Sequence, residues 1–300
     1  MDTPLDLHHG IPYSLTSWDA AMPESVTIDA HHHFWRYDPE EYGWIGDSLK
    51  KIRRDFLPED LEREMASAGV DGVVSVQARQ SLVETRWLMD LAARNDFIRG
   101  VVGWVDLRSP RLESDLESLA TMRKLKGIRH GLQSEPDDAL VECDDFNRGI
   151  RALKRISLAY DLLVVEHQLP AAIRLVDRHP EQVFILDHIA KPRIRDGLME
   201  PWQTHVRDLA RRPNVFCKLS GMVTEADFLS WTGEQLRPYF EIVLDAFGPQ
   251  RLMFGSDWPV CLVACGYQRW RDLVFGWLTN LSTDEQARVL GGTAIEAYRL

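Results

Sequence analysis

IDAHHHFWRYDPE (28–40) ends a short apolar run on three consecutive histidines, followed at once by Phe34 and Trp35. Along an extended strand, residues two apart share a side and lie roughly 6–7 Å apart at Cα. His31 and His33 therefore look one way and His32 the other. Two imidazoles so placed can grip one divalent ion, but a pair of core histidines bonded to backbone leaves the same trace. An expression tag does not fit, because the histidines sit inside a strand pattern and lead into a specific Phe-Trp. What decides between the two readings is where the rest of the chain puts its polar groups.

Seven further apolar, β-branched runs follow VTIDAHHHF (26–34): GVVSVQ (72–77), RGVVGWV (99–105), GIRHGL (127–132), LLVVEH (162–167), VFILDH (183–188), VFCKLSG (215–221) and RLMFGSDWP (251–259). Between them lie amphipathic, helix-like stretches such as PEDLEREMASAG, LESDLESLATMRK and TDEQARVLGGTAIEAYR, several with acidic residues in the first turn. Alternation of this kind implies parallel strands joined by crossovers. A repeat of about thirty residues suits a (β/α)8 barrel of ordinary size. A doubly wound sheet shares the alternation; closure is favoured because each run carries its reactive residue at its carboxyl end. These are His31 and His33, Gln77, Trp104 and Asp106, Arg129, His167, His188, Lys218 and Asp257. Barrel enzymes build their sites on that face. The expected architecture is an α/β, TIM-like (β/α)8 barrel over 26–300, with some distortion, preceded by an irregular leader over 1–25.

The 300 residues, 45% of them hydrophobic, suffice for one large core. With 35 basic against 46 acidic residues the net charge is −11, which argues against binding a nucleic-acid backbone. No run of apolar residues is long enough to span a membrane, and the N-terminus lacks the basic and apolar regions of a signal peptide. Four cysteines in a chain this long make no disulfide framework, and Cys261 and Cys265 have no second pair to complete a zinc site. The plain expectation is a cytoplasmic enzyme with reduced thiols, acting on a small molecule; a homo-oligomer stays open.

The motifs IDAHHHFW, GWVDL, GIRHGLQSEPDD, EHQLP, LDHIAKP, CKLSGMVTEAD and MFGSDWPV occur in that order. Together they resemble the amidohydrolase superfamily, in particular the amidohydrolase-related metal-dependent hydrolases, and within these are most similar to sugar lactonases of the L-fuconolactonase and L-rhamnonolactonase kind. The resemblance implies a distorted (β/α)8 barrel and hydrolysis of a cyclic ester, with L-fucono-1,5-lactone the leading substrate. It implies that His31, His33, His188 and Asp257 hold the metal. Asp257 also takes a proton from the attacking water, and His188 is a ligand or the donor to the leaving oxygen. His167 falls where the superfamily often supplies another ligand and is assigned here to substrate binding. Relatives with two metals carry a bridging lysine on the fourth strand. Here that strand has none, since Lys126 precedes it and Lys218 lies on the seventh. One divalent ion, zinc by ligand type, is expected, and catalysis without metal remains an alternative.

From the residues themselves, Arg129 ends an apolar strand, where an unpaired guanidinium is costly. It should face the pocket and hold a carboxylate or lactone oxygen, or else pair with a neighbouring acid. Trp35, Trp44, Trp104 and Trp258 could stack on a sugar ring or merely pack the barrel mouth, while Gln77 and Glu166 could bond hydroxyls. Asp257 in GSDWP could also be only an Asx-turn residue. No phosphate-binding glycine loop is present, which disfavours nucleotides. The competing reaction is metal-dependent decarboxylation of an aromatic or muconate-type acid on the same barrel. A binding protein without activity would need the strand-end polar set to be lost, and it is intact.

Overall fold

The computed structural model describes residues 26–120 and 122–300, so the expected leader over 1–25 lies outside the described residues. Eight strands, β1 (Ile28–His32), β2 (Gly72–Val76), β3 (Ile98–Gly103), β4 (Leu125–Gly131), β5 (Ala159–Leu163), β6 (Phe184–Leu186), β7 (Val215–Leu219) and β8 (Leu252–Phe254), pair in parallel in sequence order. A helix follows every strand. The ring is closed beyond the end of β8: His32 bridges Trp258, His33 N–H donates to the Trp258 carbonyl at 2.7 Å, and Asp257 N–H donates to the His31 carbonyl at 2.8 Å. The expected (β/α)8 barrel is therefore present. Its seam is made by the two segments that carry the outermost site residues.

The helices form for local reasons. Pro58–Ala68 opens on proline with Glu59 and Asp60 in the first turn, and it stops at Gly69 in the left-handed conformation. Asp144–Arg155 begins with two aspartates and ends with Lys154 and Arg155, matching the helix dipole at both ends. Their apolar faces bury against the outside of the sheet in one continuous core.

A second, smaller core fills the inside of the barrel, with Val74, Val76, Val102, Ile185, Phe216 and Met253. The last helix, Thr293–Tyr298, stoppers it from below through Ala294, Ala297 and Tyr298. Above this plug the interior turns polar. Tyr298 OH donates to Asp161 Oδ2 at 2.7 Å; Lys218 Nζ lies 2.9 Å from Asp187 Oδ1 and is also ion-paired to Asp161; Arg129 donates to Asp187 Oδ2 at 2.9 Å. Two cations and two carboxylates thus offset one another's charge where water is excluded.

One irregularity aims the first strand. Asp29 pairs with Val73 but His32 with Ser75, so β1 carries one residue more than β2 over this stretch. Such a bulge re-aims the side chains that follow it. Here it leaves Asp29 bonded to Ser256 N–H and Tyr267 OH while His31 and His33 face the cavity side.

Candidate active site

At the carboxyl ends of the strands a cavity of about 470 Å³ opens, lined by His33, Gln77, Arg129, His188 and Asp257 among others. His31 lies beneath it, fully buried. Four donor atoms converge at its floor. His31 Nε2 is 3.2 Å from His33 Nε2, and Asp257 Oδ1 is 3.4 Å from His33 Nε2, 3.8 Å from His31 Nε2 and 3.9 Å from His188 Nε2. Each ring is fixed from behind by its other nitrogen. His33 Nδ1 meets the Val76 carbonyl at 2.8 Å, His188 Nδ1 meets Ser220 Oγ at 2.9 Å, and His31 Nδ1 meets Lys218 Nζ at 3.1 Å and Asp187 Oδ1 at 3.3 Å.

Burial governs the charges here. It pushes the His31 imidazole well below its ordinary value, helped by Lys218 and His188 and opposed by Asp187. It takes His188 down to about 4, against the pull of Asp257 and Asp187. Burial alone would raise Asp257, but His188, the hydrogen bond from His33 and Lys191 outweigh it and hold the carboxyl below the usual value. Burial thus favours neutral imidazoles at His31 and His188 beside an ionised Asp257.

The backbone beneath these groups is strained. His188, Ile189, Ala190 and Lys191 all have φ between 48° and 63°, and Asp257 has φ 57°. A left-handed conformation costs a residue with a Cβ roughly 1–2 kcal/mol, and such strain persists only where the surroundings over-determine it. Ile189 and Ala190 are fully buried, and Trp202 Nε1 donates to the Ile189 carbonyl at 2.7 Å. Gly221, at φ 68°, passes so close that a Cβ there would stand 2.5 Å from His188 Nδ1.

The structure brings together His31, His33, His188, Asp257, Arg129 and Gln77, whose Nε2 donates to the Arg129 carbonyl at 3.2 Å. Three other expected residues stand apart. Trp35 is fully buried, because the chain leaves β1 to pair with Phe56 and turns the indole N–H to the Arg54 carbonyl. Trp104 lies past the end of β3 and donates to His130 Nδ1 at 3.3 Å, away from the cavity. His167 is exposed, carried outward by the tight turn Glu166–Gln168. Of the four tryptophans considered, Trp44 alone lines the cavity.

The amidohydrolase family model matches residues 28–300. The chain belongs to the amidohydrolase family. It is similar to the L-fucono-1,5-lactonase of Burkholderia multivorans, with 42% identity over 289 residues, 92% of this chain and 97% of that protein. The L-fucono-1,5-lactonase of Burkholderia ambifaria is 40% identical over 285 residues, 91% and 95% of the two chains. A crystal structure of an amidohydrolase from Burkholderia multivorans with bound zinc superposes with a TM-score of 0.87 at 43% identity, covering 92% and 99%.

The residues of this amidohydrolase fit a metal. Tetrahedral zinc with bonds of 2.0–2.1 Å sets its donors about 3.3 Å apart. The distances of 3.2 to 3.8 Å among His31, His33 and Asp257 lie at or slightly above that value, and His188 Nε2 stands 3.9 Å from Asp257 Oδ1 at their edge. The rear contacts occupy each Nδ1 and turn each Nε2 toward the shared point. A second grouping of His31, Asp187 and His188 suits a metal less, since Asp187 already answers Lys218 and Arg129.

Sequence reasoning passed over several residues that build this amidohydrolase site. Asp187 stands beside His188 in LDHIAKP and is the shared partner of His31, Lys218 and Arg129; an acid at the end of an apolar strand is the available signal. Ser220, Lys191 and Glu225 gave none, because their approach to the cavity depends on the strained turn and on Gly221.

Proposed function

We propose that this amidohydrolase opens a sugar aldonolactone to the sugar acid, with L-fucono-1,5-lactone the foremost substrate. The observation that carries the reading is the convergence of Asp257 with three imidazoles on the floor of one polar cavity, in a chain 40–42% identical to L-fucono-1,5-lactonases.

Water attacks the lactone carbonyl, the ring C–O bond breaks, and one proton must leave the water while another reaches the departing oxygen. Asp257, ionised and held by His33, takes the first proton. Help of this kind is worth roughly 10²–10⁴-fold. Arg129 is pinned by Asp187 and by the Gln77 carbonyl, so it presents a fixed positive edge to the carbonyl oxygen as negative charge develops there. Preorganised donors of this sort cost no rearrangement during reaction. The proton gained by Asp257 is returned to the ring oxygen as its C–O bond breaks, with His188 Nε2 3.9 Å away on the other side of the carboxylate. A single zinc ion between His31, His33, His188 and Asp257 would supply Lewis-acid polarisation and a lower pKa for nearby water.

Four free thiols, three of them buried, suit a reducing compartment such as the cytoplasm. No helix among the described residues is long and apolar enough to cross a membrane. A pH-indicator assay over L-fucono-, L-rhamnono- and D-series lactones tests the reading. Acid release led by L-fucono-1,5-lactone supports it, and carbon dioxide release from an aromatic acid with inert lactones overturns it.

A further inference from the structure

Four ionisable side chains line the cavity that the chemistry above does not use; Arg79 and Glu41 are paired with each other, and two remain. Lys191 comes from the left-handed turn after β6, and Glu225 from the short helix Met222–Glu225 after β7. Burial pushes the Glu225 carboxyl up and Lys191 pulls it back. Yet no ion pair closes between them, and among the described residues neither side chain has a hydrogen-bond partner. Opposite charges on the wall of one cavity, not closed into an ion pair, leave room for a ligand that bonds to both.

The turn explains how Lys191 reaches that place. In a tight turn of about three residues, positions i and i+3 eclipse. His188 and Lys191 therefore share the cavity side, while Ile189 and Ala190 are packed fully inside the protein. The strain of four consecutive left-handed residues thus serves two groups at once, the imidazole on the cavity floor and the ammonium on its wall.

We propose that Lys191 and Glu225 are a specificity pair that grips adjacent hydroxyls of the sugar lactone and selects it over a bare ring. This deepens the lactonase reading and rests on it. An ammonium only donates and a carboxylate only accepts, whereas a hydroxyl does both. Two neighbouring hydroxyls give each member of the pair a partner, one accepting from the ammonium and one donating to the carboxylate. An unsubstituted lactone leaves both charges facing the cavity without partners, and sites built to bond a hydroxyl reject analogues that lack it.

The test compares wild type with Lys191→Met and Glu225→Gln in two assays. In the first, kcat/KM is measured on L-fucono-1,5-lactone and on δ-valerolactone. Each variant should lower the ratio of the two values at least tenfold, chiefly through KM on the sugar lactone. In the second, calorimetry follows binding of L-fuconate, which needs no turnover; each variant should weaken it at least tenfold. Equal losses on both lactones, or an unchanged ratio with unchanged fuconate binding, overturn the pair. Fuconate binding that depends on the pair, in a wild type that opens no lactone, would sink the lactonase reading and leave the pair standing. Wild type that neither binds fuconate nor opens a lactone overturns both.

Discussion

His33 Nε2 stands 3.4 Å from Asp257 Oδ1, although one residue follows the first strand and the other the last. The barrel seam makes the meeting possible, since Asp257 N–H bonds the His31 carbonyl and His33 N–H bonds that of Trp258. Backbone closure and site assembly are the same event.

That geometry predicts a zinc effect on stability. A ligand that binds only the folded state at a hundred times its Kd adds about 2.7 kcal/mol. Protein stripped with chelator should gain several degrees in Tm on zinc add-back, and His33→Ala should lose that gain. An equal zinc shift in the variant would remove His33 from the donor set.

Gly221→Ala should disturb His188 from behind. The new Cβ would lie 2.5 Å from His188 Nδ1 at a backbone φ of 68°, and the left-handed conformation alone costs roughly 1–2 kcal/mol. We expect a lower Tm together with a loss of turnover, as the Ser220 bond to His188 gives way. A variant that keeps both would show that the ring tolerates displacement.

Lys218 is fully buried between Asp161 and Asp187. Removing one partner of a buried ion pair typically costs about 3–5 kcal/mol, because the other charge is stranded. Lys218→Met should lose stability on that scale in denaturant unfolding. A loss under 1 kcal/mol would mean the carboxylates find other partners.

Glu84 links pH to the cavity rim. Burial pushes its carboxyl up to about 7 from an ordinary 4.5, against hydrogen bonds from Arg79 and Ala78 N–H and Tyr42 OH. For a group whose folded value is raised, the stabilising contribution is complete below 4.5 and is lost as pH rises through 7. The difference is on the order of 3 kcal/mol. Glu84→Gln keeps an amide oxygen for the Ala78 and Arg79 N–H groups and removes the charge, so its stability relative to wild type should increase between pH 5 and pH 8. A constant difference across that range would mean Glu84 titrates normally.

The strands, their order and the inward histidines were legible because the signals are local: apolar runs, period-two alternation and a polar residue at each carboxyl end. His31, His33, His188, Arg129, Gln77 and Asp257 all reach one place for that reason. Trp35, Trp104 and His167 do not. Each lies at or just past a strand end, where a bridge to Phe56, a bond to His130 or a tight turn sets the direction, and alternation says nothing about those. The bulge in β1 and the left-handed run at 188–191 are equally silent in sequence, since tertiary packing imposes conformations that His, Ile, Ala and Lys do not prefer. Lys218 could be placed on its strand but not paired, because its carboxylates come from β5 and from the turn after β6.

The central claim is that Asp257 drives the opening of a sugar lactone on this cavity floor. Initial rates of acid release from L-fucono-1,5-lactone by wild type and Asp257→Asn, with circular dichroism to verify the fold, test it most directly. The account predicts steady turnover by wild type and a fall of about 10²–10⁴-fold in a folded variant. Turnover within a few-fold of wild type in Asp257→Asn, or none in either protein, would contradict it.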